Sequence, residues 1–230
     1  MSAVRGQYVS RFAAPNTFPA HFGTLSGVQE LELLDWKRRV FGLYAGVRAA
    51  GDPEAAWHAW RDGRETLFRG HPQSPLPPEA RGGFGGLAYF DYDPAFRVLG
   101  ELVRGDDELR DVAASGGETV RFRRFGTVRF ELVGEARELS LYWLEGYGGG
   151  VFLPFADATR GDATYGGGRY LLDTVKGADL GEADGRLVLD FNFAYNPSCA
   201  YDERWSCPLP PAENRLAFAV TAGERAPAAG

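Results

Sequence analysis

The alternation of apolar and polar residues divides the chain into a helical amino-terminal part and a strand-rich remainder. In residues 26–50, apolar side chains recur at spacings of three, four and seven, which is the helical period. A second helix is predicted after Asp52, which can accept hydrogen bonds from the first free amides, because Pro53 suits the first helical position. Gly70 can end this helix in the left-handed conformation. We expect the two helices to pair and to pack on a flat surface of the fold.

Beyond the proline-rich connection HPQSPLPPEARGG, the period changes to the two-residue alternation of half-buried strands. The alternating segments lie at residues 127–132, 139–143, 151–155, 187–193 and 216–220. Glycine-rich or Gly/Asp segments such as GYGGG and KGADLGEADG join several of them, which favours antiparallel hairpins over crossover helices. The sequence therefore predicts a mainly β protein: an antiparallel β-barrel or β-sandwich of at least six strands with an N-terminal pair of α-helices.

The length and the changes in composition along the chain predict one folded domain. A chain of 230 residues is long enough for one sizeable core. We expect residues 1–25 to form a poorly structured tail and residues 26–230 to form a single domain. Within it, residues 26–70 are the helical pair and residues 71–225 the antiparallel β portion, with a Cys/Pro-rich loop at residues 195–215. The closing AGERAPAAG is expected to fray.

Charge and hydropathy narrow the classes of partner. The chain has 25 basic against 31 acidic residues, a net charge of -6, so it lacks the basic surface that nucleic-acid binding requires. No window approaches the roughly 18 consecutive apolar residues of a membrane span, and the first residues lack the apolar core of a secretory signal. We therefore expect a cytoplasmic protein that binds neither nucleic acid nor membrane; the sequence does not indicate its oligomeric state.

The segment DFNFAYNPSCAY carries the first group of candidate binding residues. If the odd-numbered residues of the strand at 187–194 face the core, Asp190 and Asn192 share the opposite face, and Tyr195 and Asn196 stand at its end. A carboxylate, amides and a phenol at the mouth of a strand suit a small polar ligand. The same groups could instead hydrogen-bond the irregular loop that follows.

The segment GDATYGGGRY carries the second group. Its three glycines would let the backbone approach a ligand closely, and Arg169 could hold a carboxylate or phosphate in bidentate fashion. A bulged or tightly turning strand explains the glycines equally well, and the spacing matches neither the P-loop nor the dinucleotide motif. The predicted pocket comprises Tyr165, Arg169, Asp190, Asn192, Tyr195 and Asn196.

The two cysteines, Cys199 and Cys207, are separated by seven residues, which is not the C-x-x-C spacing of zinc ribbons or redox dithiols. We expect them to lie close together, as adjacent buried thiols or as an oxidisable pair. His71 could serve a reactive thiol as a base, or complete a metal site whose spacing carries no signature. We predict no metal and no cofactor.

Three blocks of the sequence resemble an uncharacterised bacterial and archaeal family, domain of unknown function 1684. They are HPQSPLPPEARGGFGGLAYFDYDPAFRV, FADATRGDATYGGGRYLL and LDFNFAYNPSCAYDERWSCPLPPAENRL. The resemblance implies family membership and brings no catalytic role. The leading hypothesis is that the protein binds a small polar or anionic molecule beside the DFNFAYNPSCAY segment. The alternatives are a hydrolase or thiol-dependent enzyme that uses Cys199 or Asp190, and a structural interaction module.

Overall fold

A computed structural model of the protein describes residues 27–227. The predicted tail at residues 1–25 lies outside this range. Helix α1 spans Gly27–Ala49 and helix α2 spans Pro53–Gly70; the strands are β1 (Arg97–Ala113), β2 (Thr119–Leu132), β3 (Glu135–Leu144), β4 (Val151–Phe155), β5 (Arg169–Asp173), β6 (Glu182–Ala183) and β7 (Arg186–Asp190). The prediction of a mainly β protein with two amino-terminal helices and at least six strands is confirmed.

The seven strands form one sheet in the order β5-β4-β3-β2-β1-β7-β6, and every pair is antiparallel. The sheet is open, because β5 and β6 end it on opposite sides. The register of β1 against β2 shifts between Arg104 and Glu108. A β-bulge of this kind bends and twists a strand. The outer part of this hairpin is exposed, whereas the opposite half of β2 enters the core.

The helical pair covers the core through aromatic side chains of α2. Asp52 caps α2 by accepting from the amides of Glu54 (3.0 Å) and Ala55 (3.2 Å), as the sequence predicts. Gly70 is the last residue of α2, but the cap is His71 in an extended conformation, so no left-handed residue ends the helix. Trp57 and Trp60 are buried in the same cluster as the phenylalanines that follow β7.

Two predicted strands differ from the structure. The strand predicted to continue through residue 193 ends at Asp190, and residues 191–193 form one 3₁₀ turn that Asp190 caps by accepting from the amide of Asn192. Asp190 and Asn192 therefore do not stand on one face of a strand. Residues 216–220 form no strand; an isolated parallel bridge joins the neighbouring Arg215 to Ala156 beyond the end of β4.

The expectation that the carboxyl-terminal segment AGERAPAAG frays is wrong for its described part. Gly223 adopts a left-handed conformation, and Glu224 is 1% exposed. The amide of Glu224 donates to Ala194 and that of Arg225 to Ala88, each at 2.8 Å. Within residues 27–227, no helix combines the length and apolar character needed to cross a membrane.

Candidate functional site

A buried ion pair joins helix α2 to the carboxyl-terminal segment. Arg64 Nη2 lies 2.8 Å from Glu224 Oε2, and the two side chains are 12% and 1% exposed. The amide of Asn196 donates to the same carboxylate at 2.8 Å, and the hydroxyl of Tyr201 donates to its other oxygen. Arg64 Nε also donates to the Tyr89 hydroxyl at 3.1 Å. We call Arg64, Glu224 and the groups around them the Arg64 site.

Aromatic rings enclose the guanidinium of Arg64. Its Cζ atom lies 4.9 Å from the ring centre of Trp60, 5.3 Å from that of Phe68 and 5.1 Å from that of Tyr195. Tyr44 of α1 packs edge-on against Trp60 with ring centres 6.0 Å apart. Such rings attract the cation through their faces and exclude water from it. The site is therefore a charged centre with mainly apolar walls.

Several polar atoms of this site have no hydrogen-bond partner within residues 27–227. The Tyr44 hydroxyl, Trp60 Nε1 and Asn196 Oδ1 are buried and make no hydrogen bond of ordinary length with the described residues. Burial raises the pKa of Tyr44, and only a weak contact from Trp60 and the charge of Arg64 oppose it. Arg64 donates through Nε and Nη2. Buried polar atoms in folded proteins normally pair with the protein, with ordered water or with a ligand. Most of these unpaired groups are hydrogen-bond donors, which favours an acceptor as the missing partner.

Burial changes the protonation of the Glu224 carboxyl. It raises the pKa of Glu224 above the ordinary value, while Arg64 and the hydrogen bond from Tyr201 oppose the change. The Glu224 carboxylate therefore gains a proton more readily than an exposed one does. Arg64 would then carry a positive charge without its counter-ion.

Arg169, predicted as the anion clamp, instead fixes the backbone that carries Glu224. Its Nη2 lies 2.8 Å from Asp157 Oδ2 and 3.0 Å from the carbonyl of Val220. Its Nη1 donates to the carbonyls of Ala222 and Glu224. Both terminal nitrogens are engaged and the residue is 1% exposed, so Arg169 holds the Glu224 backbone; its Nε has no hydrogen-bond partner among the described residues.

Asp190 and Asn192 form a separate cluster beneath α2. Asp190 Oδ1 accepts from the backbone and side-chain nitrogens of Asn192 at 3.0 and 2.9 Å. The Asn192 side chain also binds both backbone polar groups of Asp93, and its carbonyl accepts from Trp57 Nε1 at 2.8 Å. These bonds match the alternative in which the polar residues satisfy the irregular loop. Asp190 Oδ2 has no hydrogen-bond partner among the described residues and forms a long ion pair with Arg97 Nε at 3.7 Å.

Tyr165 lies at a third location, beside the cysteines. Its hydroxyl is 3.6 Å from Cys199 Sγ. Cys199 and Cys207 are buried free thiols, and the amide of Cys199 lies 3.4 Å from Cys207 Sγ. The expected proximity of the two cysteines is thus observed.

His71 belongs to the helical pair and not to the thiol site. Its Nε2 lies 3.3 Å from Asp35 Oδ2, and its Nδ1 accepts from the amide of Gln73 at 3.0 Å. Both ring nitrogens are engaged there, so the hypothesis of His71 as a base for Cys199 or Asp190 finds no supporting contact. Within the described part of the chain, no group of three or more His, Cys, Asp or Glu side chains is arranged to hold a metal ion.

The structure therefore distributes the six predicted pocket residues over three places. Tyr195 and Asn196 reach the Arg64 site, and Arg169 supports it from the backbone side; Asp190 with Asn192, and Tyr165 with the cysteines, lie elsewhere. Sequence reasoning missed Arg64 and Glu224, which are 160 residues apart. The available signal was that Arg64 lies beside Trp60 on the apolar face of α2. The hydrophobic pattern alone assigns that face to the core.

The chain is similar to proteins of unknown function. A family described as Protein of unknown function (DUF1684) matches residues 82–225, which confirms the resemblance seen in the sequence. The solution NMR structure of an uncharacterized protein from Haloarcula marismortui is 42% identical, with a TM-score of 0.54, covering 75% of this chain and 93% of that one. No curated protein matches the chain. The family match includes Glu224, whereas Arg64 precedes it.

Proposed function

We propose that this chain, which belongs to the DUF1684 family, binds a small polar or anionic molecule at the Arg64 site, beside the DFNFAYNPSCAY segment. The observation that carries the proposal is the set of unpaired buried donors there. The Tyr44 hydroxyl and Trp60 Nε1 are buried and lack an acceptor at hydrogen-bond distance among residues 27–227, and both lie close to Arg64. A ligand with a carboxylate, phosphate or similar acceptor group would satisfy them.

The surroundings favour a small ligand. Ring faces of Trp60, Phe68 and Tyr195 form the walls, and ligand sites are typically apolar with a few placed polar groups. Asn196 Oδ1 is an acceptor without a partner among the described residues, and the amide of the same residue donates to Glu224. This oxygen could accept from a hydroxyl or amine of the same ligand. Arg64 binds the anionic group in this proposal, and Arg169 positions the backbone of Glu224.

Binding of an anion should be coupled to a proton. Glu224 neutralises Arg64 in the free protein, so an entering anion meets a site without net charge. Because burial already raises the pKa of Glu224, an anion beside it raises that pKa further, and one proton is taken up on binding. We therefore expect the affinity for an anion to increase as the pH falls.

Isothermal titration calorimetry with inorganic phosphate and with acetate tests the proposal. Tyr44→Phe removes one unpaired donor without changing the shape of the core, so the variant should stay folded. It should bind the anion about tenfold or more weakly, since a hydrogen bond to a charged group contributes about 1.5 to 3 kcal/mol. The matched control is Tyr147→Phe, because Tyr147 is fully exposed.

The control should bind the anion as tightly as the unmodified protein does. The affinity of the unmodified protein should be greater at about pH 5.5 than at about pH 7.5, measured in buffers that contain no carboxylate or phosphate. Absence of binding for both anions would overturn the proposal. Equal affinities of the two Tyr→Phe variants would overturn it as well, because the site would then lie away from Tyr44.

A further inference from the structure

Cys199, Cys207 and Tyr165 form a second group of side chains that can carry chemistry. Tyr195 packs against the cluster that contains this group as well as against Arg64. Cys199 lies in the single 3₁₀ turn Ser198–Ala200, directly after Pro197. This turn brings the Cys199 amide to 3.4 Å from Cys207 Sγ. The carbonyl of Cys207 accepts from the amide of Ser115 at 3.0 Å, and the amide of Cys207 donates to the Ser115 hydroxyl at 3.1 Å. The backbone thus holds two thiols side by side in the folded chain.

The two sulfurs have different surroundings. Cys199 Sγ has the Tyr165 hydroxyl at 3.6 Å, whereas Cys207 Sγ accepts from an amide and sits deeper, 4% exposed against 9% for Cys199. A hydrogen bond from the Cys207 thiol lowers the pKa of Cys199 to about 6, although burial opposes it; Ser115 and Tyr165 act in the same direction. Cys199 is therefore the less buried of the two residues and the one whose neighbours favour the thiolate.

The same contacts raise the pKa of Cys207, because its proton is shared with the Cys199 thiolate and the residue is buried, while Lys176 acts in the opposite direction. This assignment holds only while Cys199 is a thiolate. Once Cys199 has reacted and lost its charge, the largest cause that keeps the proton on Cys207 is gone. The pair is thus ordered as an attacking thiol and a second thiol that becomes available afterwards.

We propose that Cys199 and Cys207 form a reactive dithiol that reduces a small hydroperoxide, with Cys199 as the attacking thiol and Cys207 as the resolving thiol. The Cys199 thiolate attacks the peroxide oxygen that carries hydrogen, the O–O bond breaks, and the departing alkoxide, or hydroxide from hydrogen peroxide, takes a proton from solvent through the Tyr165 hydroxyl. Cys199 is then a sulfenic acid.

Cys207 completes the reaction. Its sulfur attacks Cys199 Sγ, the S–O bond breaks, and the hydroxide leaves as water with the proton of the Cys207 thiol. The sum is two thiols plus one hydroperoxide giving one disulfide, one alcohol or water, and one further water. An external dithiol returns the pair to the reduced state by thiol–disulfide exchange.

The test uses the full reduced chain, freed of reductant, with hydrogen peroxide as the probe. One peroxide should be consumed per chain, both free thiols should disappear, and the intact mass should fall by the two hydrogens of a disulfide. With excess dithiothreitol, peroxide consumption should continue over many turnovers above the reagent background. A reduced protein that leaves peroxide unconsumed, or that stops after one equivalent in dithiothreitol, overturns the proposal.

Two matched variants separate the roles of the thiols. Cys207→Ser should consume one peroxide and stop with a sulfenic acid at Cys199, trapped by dimedone and located by peptide mass spectrometry. Cys199→Ser should lose peroxide consumption and keep a free thiol at Cys207. Either variant alone establishes the order, so the failure of one to fold leaves the other decisive. A dimedone adduct at Cys207 in Cys199→Ser, formed as fast as that at Cys199 in Cys207→Ser, contradicts the assignment.

Discussion

Asp190→Asn should stabilise the protein at neutral pH. It should also remove the part of the pH dependence of the free energy of unfolding that comes from the Asp190 carboxyl. Asp190 is 1% exposed. Its Oδ2 has no hydrogen-bond partner among the described residues and forms only a long ion pair with Arg97 Nε, 3.7 Å away. An asparagine of the same shape keeps the acceptor that binds Asn192 and removes the buried negative charge. The substitution therefore isolates the cost of ionising this carboxyl inside the fold.

The magnitude follows from the shift in protonation. Burial raises the pKa of Asp190 from 3.8 to about 6, although the hydrogen bonds from Asn192 and the charge of Arg97 oppose it. About two pKa units correspond to about 3 kcal/mol. Because the folded state holds the proton more tightly than the unfolded state, this carboxyl destabilises the fold as the pH rises from about 4 to about 6, and the penalty is complete above that range. Below about pH 4, both states are protonated and the penalty vanishes.

Urea unfolding at a series of pH values from about 4 to 8 measures this effect. The free energy of unfolding of Asp190→Asn minus that of the unmodified protein should rise from near zero at the acid end to about 1 to 3 kcal/mol at the neutral end. The lower part of this range allows for the new amide nitrogen lying beside Arg97. The control is Asp91→Asn on the exposed surface. A difference that does not change with pH, or a less stable variant at neutral pH, would refute the reasoning.

Two further predictions use the same urea assay. Arg169→Gln should cost about 3 to 5 kcal/mol because it leaves the buried Asp157 without its counter-charge. Arg97→Gln, at a longer and partly exposed ion pair, should change stability by less than about 1 kcal/mol. A cost of Arg169→Gln below about 1 kcal/mol would mean that Arg169 is not structural. Gly100→Ala should cost about 1 to 3 kcal/mol, since its new methyl group would meet two core side chains at 2.3 and 2.7 Å. Gly70→Ala, with open space around it, should not destabilise; a harmless Gly100→Ala would show that β1 packs less closely there.

The second half of β2 is the clearest strand that the alternation predicts, because residues 128, 130 and 132 are buried and residues 129 and 131 are exposed. Strands β3 and β4 are predicted from apolar residues at alternate positions, although their residues 139–142 and 152–155 are all buried. The alternation does not predict strand β1, because its outer part is rich in Asp, Glu and Arg and is exposed on both sides. The alternation does not predict strand β5 for the opposite reason. Residues 169–173 are all buried, so polar and apolar residues do not alternate there. A period can only report a difference between two faces.

The candidate site shows a different limit. Tyr195 and Asn196 could be selected from composition because they stand in an unusual irregular segment. Arg64 and Glu224 could not, because their pairing depends on how helix α2 and the carboxyl-terminal segment dock on the same sheet. Glu224 lies in a segment whose Ala, Gly and Pro content is typical of a frayed end, yet backbone bonds to Ala194 hold it in place. Contacts over 160 residues of chain leave no local pattern.

The central claim, an anion site at Arg64, is tested most directly by anomalous diffraction from a crystal soaked in sodium bromide. We expect a bromide peak within hydrogen-bonding reach of Arg64 Nη1, between Tyr44 and Trp60, and we expect Tyr44→Phe crystals to lose occupancy there. Peaks found only at exposed arginines, with the Tyr44 hydroxyl and Trp60 Nε1 paired to ordered water alone, would contradict the account.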